Sequence, residues 1–432
     1  MLDHSSIVVV GAGYVGLATG VFLADRGFSV TMIDKNPHTL DLLNRGRLPF
    51  REPLLQKKYR QVLKINKINN QSPDQGLYVN ASFIFIAIDS ANPETGLMRM
   101  KDFKEMAAWI GNNRTRKKLT VVLKSTNTIG FAEKFHNLLD ATPYGDKVNL
   151  VVNPEFLREG YAFEDTMHPW RIVIGAGNKK AASNLIGLYR TIHKKTIPMI
   201  ITDWKSAELI KLASNVYLSH RLSFIHEIAD FVRLHKLDLK AVKDGIGLDP
   251  RIGLNYFEPG LGFGGSCLPK DCLLLNTNEY KNKFEFKTAR TALEINRRVL
   301  DLLINKLQDN LGSLQGKKIA ILGMAFKPGI DDTRNSQAVK LALKLKRCKA
   351  RIAVFDPYLR KEMPIADGSI KLEDDLISTL KSTSAIIIGT AHRQFRNIKP
   401  EDAAKIVKKK IISDNFGIVN QSRWEKEGFE FI

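Results

Sequence analysis

Apolar residues in this chain fall into short runs that alternate with longer segments of helical periodicity. In the N-terminal part the runs are Ile7–Val10, Ser29–Ile33, Phe83–Ile88, Leu119–Lys124, Leu150–Val152 and Ile172–Ile174. Strands separated in this way by helical stretches predict a parallel sheet over a block from about Ser5 to Thr202. From about Asp203 to Leu311 the pattern turns mostly helical. Ala207, Ile210, Leu212, Ala213, Val216, Tyr217, Leu218, Leu222, Phe224, Ile225 and Ile228 mark one long helix, apolar around much of its girth. Such a helix is expected to be covered, between domains or at a dimer interface. Strand–helix alternation resumes from about Leu314 to Ile432, with runs at Lys318–Leu322, Arg351–Phe355, Ala385–Ile388 and Ile411–Ser413. The predicted layout is α/β, helical bridge, α/β, with domains 1–202, 203–311 and 312–432. No short repeat or low-complexity segment interrupts it.

The first run leads into Gly11-Ala12-Gly13-Tyr14-Val15-Gly16, and a helical pattern follows to about Gly27. A GxGxxG match alone is weak. Here a strand precedes it, a helix follows, and a second strand ends at Asp34, which is the context of a dinucleotide-binding turn. Gly11 permits the tight turn, Gly13 lets a pyrophosphate approach the backbone, and Gly16 allows helix and strand to pack closely. The helix N-terminus offers N–H groups and a positive dipole end to phosphates. Asp34 is placed to bind a ribose 2′-hydroxyl and to repel a 2′-phosphate, so NAD is the expected cofactor, although Lys35 beside it weakens that preference. The end blocks together read as two Rossmann-like doubly wound domains joined by the long central helix and the helical bridge.

The densest chemistry lies between Asp249-Pro250-Arg251-Ile252-Gly253 and Gly262-Phe263-Gly264-Gly265-Ser266-Cys267-Leu268-Pro269-Lys270-Asp271. Glycines in such number mean backbone that bends sharply or approaches a ligand. A cysteine closing this loop, with Lys270 and Asp271 nearby, reads as a positioned nucleophilic thiol in an electropositive setting. The alternative is a small buried hydrophobe, and Cys272 and Cys348 are read that way. Asn153-Pro154-Glu155-Phe156-Leu157-Arg158-Glu159-Gly160 places two carboxylates on one face if the segment is helical. One is then a general base for water and the other a hydroxyl acceptor; otherwise the segment is a solvated charged turn. Lys211 and Asn215 share a face of the long helix, suited to an oxyanion and a water, unless the lysine snorkels to solvent. Ser125 and Thr126 close the Leu119–Lys124 strand, where such sheets present ligand contacts, or serve only as capping residues.

Composition narrows the setting. The chain has 432 residues and three cysteines without disulfide or zinc spacing, which suits a reducing compartment and the cytoplasm. No apolar run reaches about 18 residues, so no membrane span is expected. Ile7–Val10 runs into a glycine turn rather than a cleavage site, so no signal peptide is expected either. The formal net charge of +21 favours polyanionic ligands. Its sources are dispersed, at Gln56–Arg60, Lys64–Lys67, Arg114–Lys118, Lys344–Arg351 and Lys408–Lys410. None is interleaved with aromatics, so a basic surface without specific nucleic-acid binding is expected.

Taken together, Gly11–Gly16, Asn44-Arg45-Gly46, Lys124-Ser125-Thr126, Asn153–Gly160, Pro169–Gly175, Ala207–Asn215, Asp249–Gly253, Gly262–Asp271 and Gly323–Arg334 resemble the UDP-glucose/GDP-mannose dehydrogenase family over nearly the whole chain. The resemblance implies an NAD-binding first domain, a helical dimerisation bridge and a third domain that binds the nucleotide of a sugar substrate. It implies NAD-dependent, four-electron oxidation of the sugar C6 alcohol to a uronate through a Cys267 thiohemiacetal and thioester, with no metal. By the same resemblance Lys211, Asn215 and Asp271 stabilise oxyanions and organise water. Glu155 is the base of thioester hydrolysis, and Glu159 and Thr126 position substrate and water. Cofactor contacts fall to Gly11, Gly13, Tyr14, Val15, Gly16, Asp34, Lys35, Ser90, Thr126, Glu159, Lys270 and Arg334. Substrate contacts fall to Glu155, Phe156, Leu157, Arg158, Glu159, Lys211, Asn215, Phe263, Gly264 and Lys327. Arg251 matches an arginine that reaches the neighbouring subunit's substrate in a homodimer.

Three positions depart from the family pattern. Asp89-Ser90-Ala91 stands where a Thr-Pro turn is usual, Thr128 replaces a proline, and His226 replaces a common asparagine. Ser rather than His before Cys267 argues against the N-acetylmannosamine branch. The motifs lean to UDP-glucose, with GDP-mannose or a UDP-N-acetylhexosamine as alternative sugars. Two rivals lie outside this reading: a single-step hydroxyacid dehydrogenase, and a non-catalytic nucleotide-sugar or polyanion-binding protein.

Overall fold

The computed structural model describes residues 6–73, 81–92, 95–112, 119–193, 196–277, 284–360 and 364–432. Ser5 and the basic run Arg114–Lys118 lie outside them. The chain divides into two units, Met1–Ser214 and Asn215–Ile432.

Among the described residues of the first unit, eight strands form one sheet in the order β3-β2-β1-β4-β5-β6-β7-β8. They are β1 (Ser6–Val10), β2 (Ser29–Ile33), β3 (Ile68–Gln71), β4 (Ala81–Ile86), β5 (Leu119–Leu123), β6 (Val148–Val152), β7 (Ile172–Ala176) and β8 (Met199–Thr202). Ile7 and Val9 of β1 pack with Val122 and Val151 on one face, while Val8 and Val10 pack with Val121, Leu123 and Val152 on the other. Both faces are covered by helices, which is why these strands read as continuous apolar runs rather than alternating ones. The strand order reverses between β1 and β4, and that crevice is where doubly wound sheets take their ligands.

The fold class matches the sequence reading, with differences at the edges. β3 and β8 were not foreseen: β3 is the polar run Ile68-Asn69-Asn70-Gln71, and β8 is an edge strand with Ile200 and Ile201 exposed. The sheet is also not wholly parallel, because β6 and β7 pair antiparallel. Their connection holds only the helix Ala162–Met167, whose six residues span about 9 Å. That is too short to carry the chain back across a sheet face, so the connection stays at the carboxyl end of β6.

The second unit opens within the long helix Trp204–Leu234, which carries residues of both units. Helices Leu239–Gly247, Leu268–Leu275 and Lys287–Leu311 follow. Among the described residues a five-stranded sheet, all parallel, then runs in the order β10-β9-β11-β12-β13. Its strands β9 (Lys318–Leu322), β10 (Arg351–Phe355), β11 (Ala385–Ile388) and β12 (Ile411–Ser413) keep the limits read from sequence. The short β13 (Glu430–Phe431) adds an unforeseen edge. On the long helix, Tyr217, Phe224 and Phe231 are exposed on the single chain and fall a heptad apart, on one stripe.

Candidate active site

At the carboxyl end of β1, the Gly11 N–H donates to the Ile33 carbonyl at 2.7 Å with φ of +98°. A Cβ on Gly11 would lie 2.5 Å from the Ala87 carbonyl oxygen, and one on Gly16 only 1.8 Å from that of Gly11. A Cβ on Gly13 would meet nothing within 4 Å. Two glycines therefore let the turn close on itself, and the third leaves its outer side open for a ligand. The helix Tyr14–Asp25 begins there with a glycine N-cap and no side-chain cap, so a phosphate suits its amino end. Asp34 Oδ2 accepts from Ala12 N–H at 2.7 Å and Oδ1 from Asn36 N–H at 2.8 Å, which fixes the carboxylate at the end of β2. Lys35 turns to Asp102, 3.0 Å away, so the cation beside Asp34 is matched by an anion elsewhere. Tyr14 stacks on Phe50 at 3.7 Å between ring centroids, and Val15 is half-buried. These residues fit a dinucleotide with a free 2′-hydroxyl.

Farther along the same sheet edge, Ser90 is buried and its hydroxyl donates to the Thr126 carbonyl. It ties the loops after β4 and β5 together, while Asp89 is exposed and Thr126 half-buried. β5 ends at Leu123, one residue short of the predicted strand; the backbone N–H groups of Lys124 and Ser125 both donate to the Ile86 carbonyl, at 2.9 and 3.1 Å.

The loop after β6 is not helical, so Glu155 and Glu159 do not share a helix face. Pro154 and the turn at Glu159-Gly160 keep the segment irregular, and two different environments result. Glu155 is buried, accepts the Leu157 N–H at 2.6 Å, and pairs with Lys211 Nζ at 2.7 Å. Glu159 is half-buried. Lys211 is itself buried and does not snorkel to solvent. A second ammonium belongs to this cluster: buried Lys124 donates to Asn153 Oδ1 at 2.9 Å. Burial alone pushes the Glu155 carboxyl up. Lys211, by charge and hydrogen bond, then Leu157 N–H and Lys124, outweigh it and hold the carboxyl below its ordinary range. Burial pushes Lys124 down to about 8, against the pull of Glu155. Sequence reading missed Lys124 as a member of this group, although a lysine ending an apolar strand was a visible signal. Phe156 lies under the Arg171 guanidinium at 3.8 Å, Leu157 is half-buried, and Arg158 is held by Asp165 at 2.7 Å.

In the second unit Cys267 is half-buried and forms the N-cap of helix Leu268–Leu275. Its sulfur lies 3.5 Å from Ser266 Oγ. The N–H groups and positive end of that helix favour a thiolate at this place. The electropositive setting read from sequence is weaker than expected, because Lys270 is neutralised by Asp271 at 2.6 Å. Asp271, wholly buried, also accepts from Asn215 Nδ2 at 2.5 Å. Asn215, Asp271 and Lys270 thus form one buried polar chain one turn into the helix that Cys267 caps. Cys272 is a different thiol: it is fully buried, and desolvation pushes it up to about 11.

The loop before Cys267 is clamped on its backbone. Phe263 N–H donates to Asn296 Oδ1 at 2.7 Å, and its carbonyl accepts from Asn296 Nδ2 at 2.9 Å and Gln337 Nε2 at 2.7 Å. A Cβ on Gly264 would lie 2.5 Å from the Asn335 carbonyl oxygen. Sequence reading did not find Asn296 or Gln337, since each is one polar residue among several in its segment. Arg334 is engaged by Asp332 at 2.5 Å, Lys327 is half-buried, and Arg251 is exposed beside Asp249 at 2.6 Å. The turn after β9 repeats the first unit's device: Gly323 N–H donates to the Phe355 carbonyl at 2.7 Å, and Asp356 Oδ2 accepts from Met324 and Ala325 N–H at 2.7 and 3.1 Å.

Known proteins resemble this chain over nearly its whole length. Three models of the UDP-glucose/GDP-mannose dehydrogenase family match: the NAD binding domain over residues 5–193, the central domain over 205–298 and the UDP binding domain over 320–421. UDP-glucose 6-dehydrogenase YwqF of Bacillus subtilis is 34% identical over 89% of this chain and 87% of its own length. UDP-glucose 6-dehydrogenase of Rickettsia bellii is 32% identical over 99% and 98%. Among solved structures, a UDP-glucose dehydrogenase from Pyrobaculum islandicum superposes with a TM-score of 0.89 at 31% identity, covering 98% of this chain and 96% of that one. Among the described residues, no helix is long and apolar enough to cross a membrane.

Proposed function

Because this chain belongs to the UDP-glucose/GDP-mannose dehydrogenase family, whose members are NAD-dependent nucleotide-sugar dehydrogenases, we propose that it oxidises the C6 alcohol of UDP-glucose to the carboxylate. NAD, held on the Gly11–Gly16 turn, supplies the hydride acceptor for two successive oxidations. After the first, the Cys267 thiolate adds to the C6 aldehyde and gives a thiohemiacetal. After the second, the same sulfur carries the sugar as a thioester. Water adds to the thioester carbonyl, the C–S bond breaks, and the uronate leaves with the thiolate restored. Each turnover consumes one water and reduces two NAD.

In this reading Lys211, Asn215 and Asp271 stabilise oxygen as it gains negative charge and organise water. Glu155 takes the proton of the attacking water, while Glu159 and Thr126 position substrate and water. As an acid held low by Lys211, Glu155 is a weak base at rest. A developing oxyanion that draws Lys211 away relaxes that hold, raises the carboxyl and strengthens the base. The exposed stripe of Tyr217, Phe224 and Phe231 becomes a subunit interface of a homodimer, and Arg251 reaches the neighbour's substrate. Domains at 1–202, 203–311 and 312–432 and a cytoplasmic setting belong to the same reading.

The observation that carries it is Cys267 at a helix N-cap, with the buried Asn215–Asp271–Lys270 chain beginning one turn later. The test is NADH formation across UDP-glucose, GDP-mannose and UDP-N-acetylhexosamines. UDP-glucose turns over fastest, with two NADH per uronate. A single NADH per turnover refutes the covalent route, and a preference for another sugar refutes the substrate.

A further inference from the structure

The turn ahead of the Cys267 loop is held by one side chain that titrates. Gly260 N–H and Gly262 N–H both donate to His226 Nε2, at 3.1 Å each. His226 is buried on the long helix, and its Nδ1 faces the Leu222 carbonyl one turn earlier. A carbonyl only accepts, so Nδ1 carries the proton and Nε2 is left with a lone pair for the two amides. Gly262 has φ of +107°, and a Cβ there would lie 2.4 Å from Asn296 Oδ1. The segment therefore combines glycine freedom with tight surroundings. Fixing such residues costs backbone entropy, so clamps decide whether the loop has one shape. Asn296 and Gln337, which hold Phe263, do not titrate.

We propose that His226 is a positioning residue for Cys267, fixing the Gly260–Gly262 turn in its neutral form and releasing it when protonated. A proton on Nε2 would point at two N–H donors and abolish both hydrogen bonds. Burial also disfavours the cation, and it holds His226 below the ordinary histidine value of 6.5. On its own helix Asp230 favours the cation and Arg233 opposes it. These two pair at 2.8 Å, and Lys306 and Asp414 from other elements act on that pair. The clamp is complete at and above pH 6.5 and is lost only as the pH falls through the folded value of His226, which lies below that.

The inference rests on the reading of Cys267 as nucleophile, so its test includes readouts that need no turnover. His226→Gln keeps an acceptor near the Nε2 position without titrating, and His226→Phe keeps bulk without an acceptor. Amide hydrogen exchange of the Gly260–Phe263 segment, corrected for intrinsic rates, is followed in the full chain from about pH 8 down to the acid limit of folding. Protection falls on the acid side in the parent, persists in the Gln variant and is absent in the Phe variant. Iodoacetamide labelling of Cys267 and kcat, each taken as the ratio of variant to parent at the same pH so that the thiol's own titration cancels, then follow the clamp: the Gln variant gains on the parent as the pH falls. The Phe variant departs in both at neutral pH, with kcat about tenfold or more lower. Unchanged protection in the Phe variant overturns the clamp. Equal Cys267 labelling in the Phe and Gln variants, or a Gln-to-parent ratio that stays constant as the pH falls, overturns the positioning role. If no nucleotide sugar is oxidised, the dehydrogenase reading fails while exchange and labelling still decide the role of His226.

Discussion

Glu155 Oε1 and Lys211 Nζ meet at 2.7 Å, with both side chains almost wholly removed from solvent. Breaking such a pair strands a buried charge and costs about 3–5 kcal/mol, whereas removing both partners costs less than the sum. Lys211→Met and Glu155→Gln should each lower the urea midpoint, with a positive coupling in the double variant. Because the folded state holds Glu155 below 4.5, its contribution is complete above that value and fades as the pH falls through the folded one. Strict additivity in denaturation would contradict the pairing.

The dinucleotide turn separates two effects of glycine. Gly16→Ala forces a methyl to 1.8 Å from the Gly11 carbonyl oxygen and should destabilise the first unit outright. Gly13→Ala meets nothing within 4 Å, so its melting temperature should stay close to the parent's while NAD affinity falls. Calorimetry beside NAD titration checks both, and unimpaired NAD binding by Gly13→Ala would contradict the placement of the phosphates.

Glu208 accepts from Gly130 and Ala132 N–H at 2.6 and 2.8 Å and links the long helix to the loop that carries Thr126. Burial raises its carboxyl to about 7 against those hydrogen bonds. Between 4.5 and about 7 the unfolded chain ionises this group while the folded chain does not, so stability declines as pH rises. The slope approaches about 1.4 kcal/mol per pH unit. Glu208→Gln should remove that slope from pH-dependent denaturation; a parallel curve would contradict the assignment.

The strands were legible wherever both sheet faces are covered, because β1, β5 and β9 to β12 are mostly apolar runs. β3, β8 and β13 were not: these three outer strands are short, and β3 and β13 are largely polar. The glycine turn and Asp34 could be read because the backbone itself demands them. Lys35 could not be judged, since its partner Asp102 lies far along the chain. The Asn153–Gly160 loop suggested its carboxylates but not their separation, because helical spacing was the wrong ruler for an irregular segment. Lys124, Asn296 and Gln337 are single polar residues whose meaning comes only from what the fold brings against them.

The central claim is that the Cys267 sulfur carries the oxidised sugar. Glu155→Gln, which slows hydrolysis, is mixed with UDP-glucose and NAD, quenched in acid and mapped by peptide mass with and without hydroxylamine. A hydroxylamine-labile uronyl adduct on the peptide containing Cys267, absent in a Cys267→Ala background, is the predicted result. Continued uronate release with no adduct, or at the parent rate from Cys267→Ala, would contradict it.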